Sequence, residues 1–409
     1  MTTSYASDVR AGAFLMQEQS AKGSGRAFAG EAAIAEDAST IFSNPAGMTE
    51  LSGTQFQLGG YVLKPEAKLS DRGSTVNGTP VGGVGKDQGF DAQPLSYFYA
   101  ATPLQDDLWF GFAVNVPFGL ADKYKSDYFG RYDSIETRLV AIDAAPSLAY
   151  AISPQVSIGG GIDLQYMKGK LANALPNPFA PGDPSADGKL SVEGDSFAVG
   201  YNLGILVKPT RDLNLGLTYR AALDQDIDGT ATQTIFGTTT KQGAKTTVAL
   251  PDSLSLAAAY KLTADTTLLA QANYYNWSRF DALDFSFADG SSATVEQKFR
   301  DSYGVSVGAQ HRLSDAWTIR SGVEFDQTPT RDAYRSTAIP DADRIWLGVG
   351  ASYAVTQSMS LDVSYAHMFA KDAPINRVTS FPALGTTVAT QGMTETSSDV
   401  LGIGLQVSF

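Results

Sequence analysis

The sequence predicts an all-β membrane protein: an antiparallel transmembrane β-barrel of about fourteen strands, with an N-terminal, mostly helical hatch plugging the lumen. Three observations predict it. The first fifty residues are small, Ala/Gly-rich and helix-leaning, and end at Ile41-Phe42-Ser43-Asn44-Pro45-Ala46-Gly47-Met48. From Gln55 to Phe409 the chain reads as short segments of alternating side chains. The connections between those segments alternate between short and long. The expected division is therefore a hatch over 1–50 and a barrel over 51–409.

The head holds three short helical candidates, Asp8–Gln19, Arg26–Ala35 with Ser24 as its cap, and Asp37–Phe42. The last stops at Asn44-Pro45, because proline pushes the preceding residue out of the helical region. A unit this small has a thin core of its own. It is expected to borrow its burial from the larger body.

The C-terminus gives the clearest strand. In Leu401–Phe409 every odd position is large and apolar and every even one small or polar, as for a strand with a different solvent on each face. The pattern recurs at Met359–Tyr365, Trp317–Phe325 and Phe197–Ile205. Short turns are expected at Thr102–Asp107, Ile152–Gln155, Lys208–Asp212, Lys261–Asp265, Arg312–Ala316 and Ala354–Ser358. Longer polar loops are expected at Lys64–Asp91, Pro117–Thr137, Leu171–Asp195, Asp224–Thr246, Asp281–Gln297, Gln327–Asp343 and Ala370–Ser398. Short turns on one side and long loops on the other are the layout of an outer-membrane barrel. Tyr150, Tyr260, Trp317, Tyr353 and Phe409 form one candidate aromatic girdle; Tyr166, Tyr219, Tyr274 and Phe325 form the other.

Composition narrows the function classes. The 409 residues carry a net charge of −13 and no cysteine. An acidic chain is a poor partner for nucleic acid, and zero cysteine removes disulfides, zinc–thiolate sites and thiol nucleophiles. No apolar run reaches the length of a spanning helix, which leaves strands as the membrane element. Met1–Arg10 lacks the pattern of a signal peptide, so the chain is expected to be a mature exported form with an added Met1. The two histidines, His311 and His367, fall toward opposite ends of the barrel. Ser/His/Asp chemistry is weakly supported. Gly82–Asp87 lacks the Ser/Thr of a phosphate loop. No catalytic residue, metal site or cofactor is expected.

The head resembles that of the outer-membrane long-chain fatty acid transporter family, the FadL-like channels. The matching residues include Gly12-Ala13-Phe14, Gly25-Arg26-Ala27, Ala35-Glu36-Asp37 and Asn44-Pro45-Ala46. Further matches follow in order at Phe118-Gly119-Leu120, Pro146–Tyr150, Leu250-Pro251, Trp277–Phe280 and Ile339–Leu347. The resemblance implies a barrel plugged by a hatch that ends in Asn44-Pro45-Ala46, passing long-chain fatty acids, or aromatic hydrocarbons in some members, with no energy source of its own. The extension Met1–Ala11 departs from the family pattern.

Within that frame the site residues can be assigned. Pro117 interrupts the third strand in Val116-Pro117-Phe118-Gly119, where proline cannot donate to a ladder and glycine marks a bulge. Pro94 and Pro146 fall on the flanking strands. Pro117, Phe118 and Gly119 are the expected lateral opening into the bilayer; the family's kinked third strand implies the same. Phe98 and Trp346 are assigned an inward position by strand parity, facing Phe14 and Leu15 of the hatch, as ligand contacts or as packing. Lys298 and Arg300, in the parity of Ser302, are the candidate carboxylate partners; the alternative pairs them with loop acids such as Asp301 or Glu296. Leu175, Pro178, Phe179, Ile235 and Phe236 are the apolar residues of an expected outer capture groove. The partners expected are a hydrophobic small molecule, outer-membrane lipid and lipopolysaccharide, and the barrel-assembly machinery, with Phe409 as its signal. Nothing demands an oligomer. A general diffusion porin is the alternative outside the transporter class.

Overall fold

The computed structural model describes residues 13–409. Fourteen antiparallel strands close one barrel. They are β1 (Gln55–Asp71), β2 (Gln93–Pro103), β3 (Leu108–Lys123), β4 (Glu136–Ser153), β5 (Val156–Leu175) and β6 (Gly188–Val207). Four interrupted strands follow: β7 (Leu213–Arg220, then Leu223–Ile235), β8 (Thr238–Leu250, then Ser253–Lys261), β9 (Thr266–Tyr275, then Ala282–Phe287) and β10 (Ser292–Glu296, then Ser302–Arg312). The last are β11 (Trp317–Asp326), β12 (Arg344–Ala354), β13 (Met359–Ala370, then Ala373–Phe381) and β14 (Thr386–Ser408). The two ends meet in one ladder, from Gln55 opposite Ser408 to Asp71 opposite Gly392, so no edge is left open.

Alternation divides the two faces. Leu58, Ile162, Leu203, Val307 and Leu401 are exposed on the outside, while Gln57, Asp163, Asn202, Ser306 and Gly402 are buried on the inside. An apolar exterior and a polar interior are what lipid outside and a polar lumen inside require. The two aromatic sets are on the outer surface: Trp317 lies opposite Tyr353 with ring centroids 4.8 Å apart, and Tyr201 meets Tyr219 at 6.2 Å.

The six short turns fall where the turn residues placed them. The connection Gln327–Asp343 has the expected bounds, and the other long connections are shorter than expected. β5 and β6 stay in register as far as Leu175 opposite Gly188, so only 176–187 form the loop. β7 and β8 turn at Phe236-Gly237, whose φ values of 48° and 80° make a two-residue hairpin. Above the bilayer both faces of a strand meet water. The apolar alternation fades there although the strand continues.

The N-terminal segment lies within this wall. Its helices are single turns, Ala21–Ser24, Glu31–Ile34, Thr40–Ser43 and a 3-10 turn Pro45–Glu50. The expected helix over Asp8–Gln19 does not form in its described part, where Leu15 instead bridges Phe118; its first residues lie outside the described ones. Ser20 caps the first turn, accepting from Gly23 N at 2.9 Å. The expected helix over Arg26–Ala35 shrinks to Glu31–Ile34, with Gly30 rather than Ser24 at its cap position. Single turns cannot hold themselves in water, so these depend on the wall.

Candidate ligand cavity and wall openings

Asn44, Pro45 and Ala46 sit against the short-turn half of the wall. Asn44 donates to Ala32 O (2.7 Å) and Ile205 O (3.0 Å), and its Oδ1 accepts from Ala46 N (3.1 Å). One side chain thus joins two turns of the segment to strand β6. Asparagine fits because it donates and accepts at once. The wall opposite is glycine by necessity of space. A Cβ on Gly204 would lie 2.0 Å from Asn44 Oδ1, and one on Gly216 1.8 Å from Ala32 O. Trp346 is inward and fully buried, packed edge-on against Phe28 of the segment at 5.7 Å. It fastens the segment to the wall.

Charges in the same region are paired. Lys22 meets Asp37 at 2.9 Å, Arg26 meets Glu36, and Arg220 meets Asp163 at 2.6 Å while resting 4.4 Å over the Phe42 ring. Removing one partner of such a buried pair would strand the other charge.

The third strand leaves the cylinder. β2 and β3 pair only from Pro103–Trp109 up to Phe98–Val114. Against β4 the register slips by one between Asn115 and Phe118, the mark of a bulge at Val116-Pro117. Beyond it the free edge of β3 pairs with the N-terminal segment. Met16 N donates to Pro117 O (2.8 Å), Gly119 N to Phe14 O (2.9 Å), and Gln19 Nε2 to Val116 O (3.0 Å). Residues 14–19 replace the missing neighbour. Asn115–Asp122 are buried on both faces, as a strand drawn inside the wall must be.

Next to this swerve lies an apolar cavity of about 90 Å³. Phe14, Leu120, Val192, Ile227, Phe280 and Ile339 are among its walls. Phe14 is the hub of an aromatic cluster, 4.8 Å from Trp277, 5.4 Å from Phe280 and 6.1 Å from Phe118. Trp277 and Phe280 enter because β9 breaks into a 3-10 turn, Trp277–Arg279. Neither was foreseen as a site residue; the sequence signal was an aromatic pair set in a strand-like run. Arg138 and Lys170 border the same cavity and share one carboxylate, Glu136, at 3.1 and 2.7 Å.

Three assignments from sequence are corrected. Phe98 faces outward: Tyr97 and Tyr99 hold the inward positions, and Phe98 lies opposite outward Leu58. With Leu95, Tyr97, Phe98 and Tyr99 all apolar or aromatic, parity there carries no signal. Lys298 and Arg300 are not inward either. Lys298 has φ of 49°, which breaks the pleat; Gln297 and Phe299 turn in and the two cations turn out. Lys298 pairs with Asp281 at 2.7 Å, and that hydrogen bond holds its ammonium above the usual range. Arg300 donates to Thr328 O (3.2 Å) beside Asp343. Both belong to the loop rim.

The two loop tips of the expected groove do meet, with Phe179 and Phe236 ring centroids 6.1 Å apart and both exposed. Leu175 and Ile235 line a small recess beneath Phe236. Both histidines lie on the outer surface, His311 bonded to Thr266 and His367 to Asp399. Among the described residues no group of three or more His, Cys, Asp or Glu is placed to hold a metal ion.

This geometry can be set beside known proteins. The chain is 29% identical to outer membrane protein P1 of Haemophilus influenzae, over 99% of this chain and 96% of that one. It is 27% identical to a long-chain fatty acid transport protein of Escherichia coli O6:H1, over 87% and 86%. The fold matches that of a Pseudomonas aeruginosa FadL homologue with a TM-score of 0.91 at 23% identity, covering 97% of this chain and all of that one. It also matches the Pseudomonas putida toluene transporter TodX at 0.72 and 18% identity, covering 91% and 94%. Residues 2–409 match the model of the outer membrane protein transport family, OMPP1/FadL/TodX. The chain is a bacterial outer-membrane β-barrel and belongs to that family of transport proteins.

Proposed function

We propose that the chain carries long-chain fatty acids passively across the outer membrane, with residues 1–50 as the plug and 51–409 as the barrel. The ligand is captured at the loop tips around Phe179 and Phe236. It passes to the cavity under Phe14 and leaves sideways, into the bilayer, where β3 parts from β2. The observation that carries this reading is the contact between cavity and swerve: Phe14 closes the cavity, and its own carbonyl accepts from Gly119 on β3. A ligand that displaces Phe14 therefore loosens the strip that seals the gap. Arg138 and Lys170, two cations around one carboxylate on the outward face of β4 and β5, offer the ligand carboxylate a place at the outer rim of the cavity wall.

Aromatic-hydrocarbon transport is the second reading. Phe14, Trp277 and Phe280 favour it, since edge-to-face ring packing suits a flat aromatic guest. Uptake of labelled oleate by cells lacking their own transporter tests the first reading. Uptake lost on replacing both Arg138 and Lys170 with alanine supports it. Toluene uptake without oleate uptake moves the assignment to the second.

A further inference from the structure

A second break in the wall lies between β6 and β7. The two strands pair from Leu215–Val207 up to Arg220–Asn202, and again from Asp228–Asp195 to Thr234–Lys189. Between these stretches no ladder pairing joins 221–227 to 196–201 among the described residues; Ala221 N donates to Tyr201 O, at 2.9 Å. Each strand keeps its other neighbour, β5 for β6 and β8 for β7. The gap is thus a local parting of two otherwise well-held strands. No stretch of the N-terminal segment pairs there among the described residues, in contrast to the β2–β3 gap. A side chain fills it. Leu223 lies so close to Gly200 that a Cβ on that glycine would be 3.2 Å from Leu223 Cγ.

Position and chemistry give the gap a use. On its inner side, Ile227 and Gly194 line the apolar cavity, and Leu223 and Ala198 pack in the same apolar cluster as Phe14. On its outer side, Phe197 and Val199 are exposed, 63% and 59%, just above the Tyr201–Tyr219 ring pair of the girdle. The gap therefore joins the cavity to the lipid–headgroup boundary. Its outer lip carries five carboxylates, Glu193, Asp195, Asp224, Asp226 and Asp228, against four cations, Lys168, Lys170, Lys245 and Arg279. A net negative lip disfavours an approaching carboxylate and leaves an uncharged molecule unaffected.

We propose that the β6–β7 gap is a lateral portal gated by Leu223, through which uncharged hydrophobic molecules pass between the outer leaflet and the cavity. This rests on the transporter reading above. It adds a route for neutral molecules distinct from the carboxylate route over the loops.

The chain has no cysteine, so a disulfide staple can be built cleanly. Cells carrying Gly200→Cys with Leu223→Cys are assayed for toluene and oleate uptake, oxidised and then reduced. A control staple, Val323→Cys with Leu347→Cys, joins directly opposed, outward residues of the unbroken β11–β12 ladder, away from the gap. The proposal expects toluene uptake to be lost on oxidation and regained on reduction, with oleate uptake unchanged and the control inert. Leu223→Trp, a larger filling side chain, should lower toluene uptake without any crosslink. Toluene uptake that is unchanged in both variants, or absent in the parent while oleate enters, overturns the portal and leaves the transporter reading standing. A parent chain that imports neither compound overturns both.

Discussion

The two halves of this barrel, divided near the Tyr201–Tyr219 ring pair, are built to different rules. In the short-turn half the β6–β7, β8–β9 and β11–β12 ladders run without a break, and the segment from Ser20 to Glu50 rests on inward glycines with Lys22 paired to Asp37 and Arg26 to Glu36. In the long-loop half four ladders part: β2–β3 beyond Val114, β6–β7 over 221–227, β8–β9 between Ser253–Tyr275 and Ala244–Phe287, and β9–β10 between Tyr275–Ser302 and Ala282–Glu296. The cavity lies in this half, with the aromatic cluster around Phe14. Lipid offers backbone groups no partners. At two of these partings other backbone takes over, residues 14–19 at β3 and the Trp277 turn at β9, while at β6–β7 the Leu223 side chain fills the space. The difference teaches that packing of the N-terminal segment and parting of the wall are kept to separate levels of one cylinder; in the proposed function the first provides the seal and the second the passage.

The comparison can be broken most severely at the seat of the segment. Gly204→Leu forces a side chain into the place of Asn44 and should expel this stretch. In planar bilayers the parent is expected to be closed to ions and the variant open; a closed variant would show that the lower half is not the seal. Asn44→Ala is gentler. It removes the donor to Ala32 and Ile205 and should cost about 1–3 kcal/mol locally. Faster amide exchange over 40–50, with the barrel strands unchanged, is the expected readout.

The upper half is tested by uptake. Gly119→Ala has room, since its new Cβ would be 3.5 Å from Met16 Sδ. Combined with Pro117→Ala it should straighten β3, and ligand uptake is expected to fall about tenfold, equivalent to roughly 1.4 kcal/mol. Undiminished uptake would sink the lateral exit at β3. The smallest effects belong to residues at the rim or outside. Lys298→Ala, Arg300→Ala and Phe98→Ala should each leave uptake within about twofold, as exposed ion pairs and lipid-facing rings contribute little. A large loss at Arg300 would restore it as a ligand residue.

Much of this was legible in the chain itself. The strands with one apolar and one polar face, such as Leu401–Phe409, announce themselves because two solvents impose a period of two. Pro117 and Gly119 mark the swerve because neither suits a central strand. Legibility ends where that contrast ends. Above the bilayer β5–β8 continue as paired strands with polar residues on both faces, and read as loops. At Phe98 apolar residues occupy both faces and parity is lost. At Lys298 a left-handed backbone in a residue other than glycine shifts the parity of what precedes Ser302, with nothing in the sequence to announce it. The cavity joins Phe14 to β4–β9, a gathering that only closure of the barrel brings about.

The most direct measurement pairs two readings on one chain: uptake of labelled oleate and toluene by cells lacking their own transporter, and single-channel conductance of the purified protein. The account predicts saturable uptake of at least one of these compounds with no open-channel conductance, because the hydrophobic route and the water route are kept apart. Steady ion conductance without uptake of either would contradict it and identify the chain as a diffusion pore.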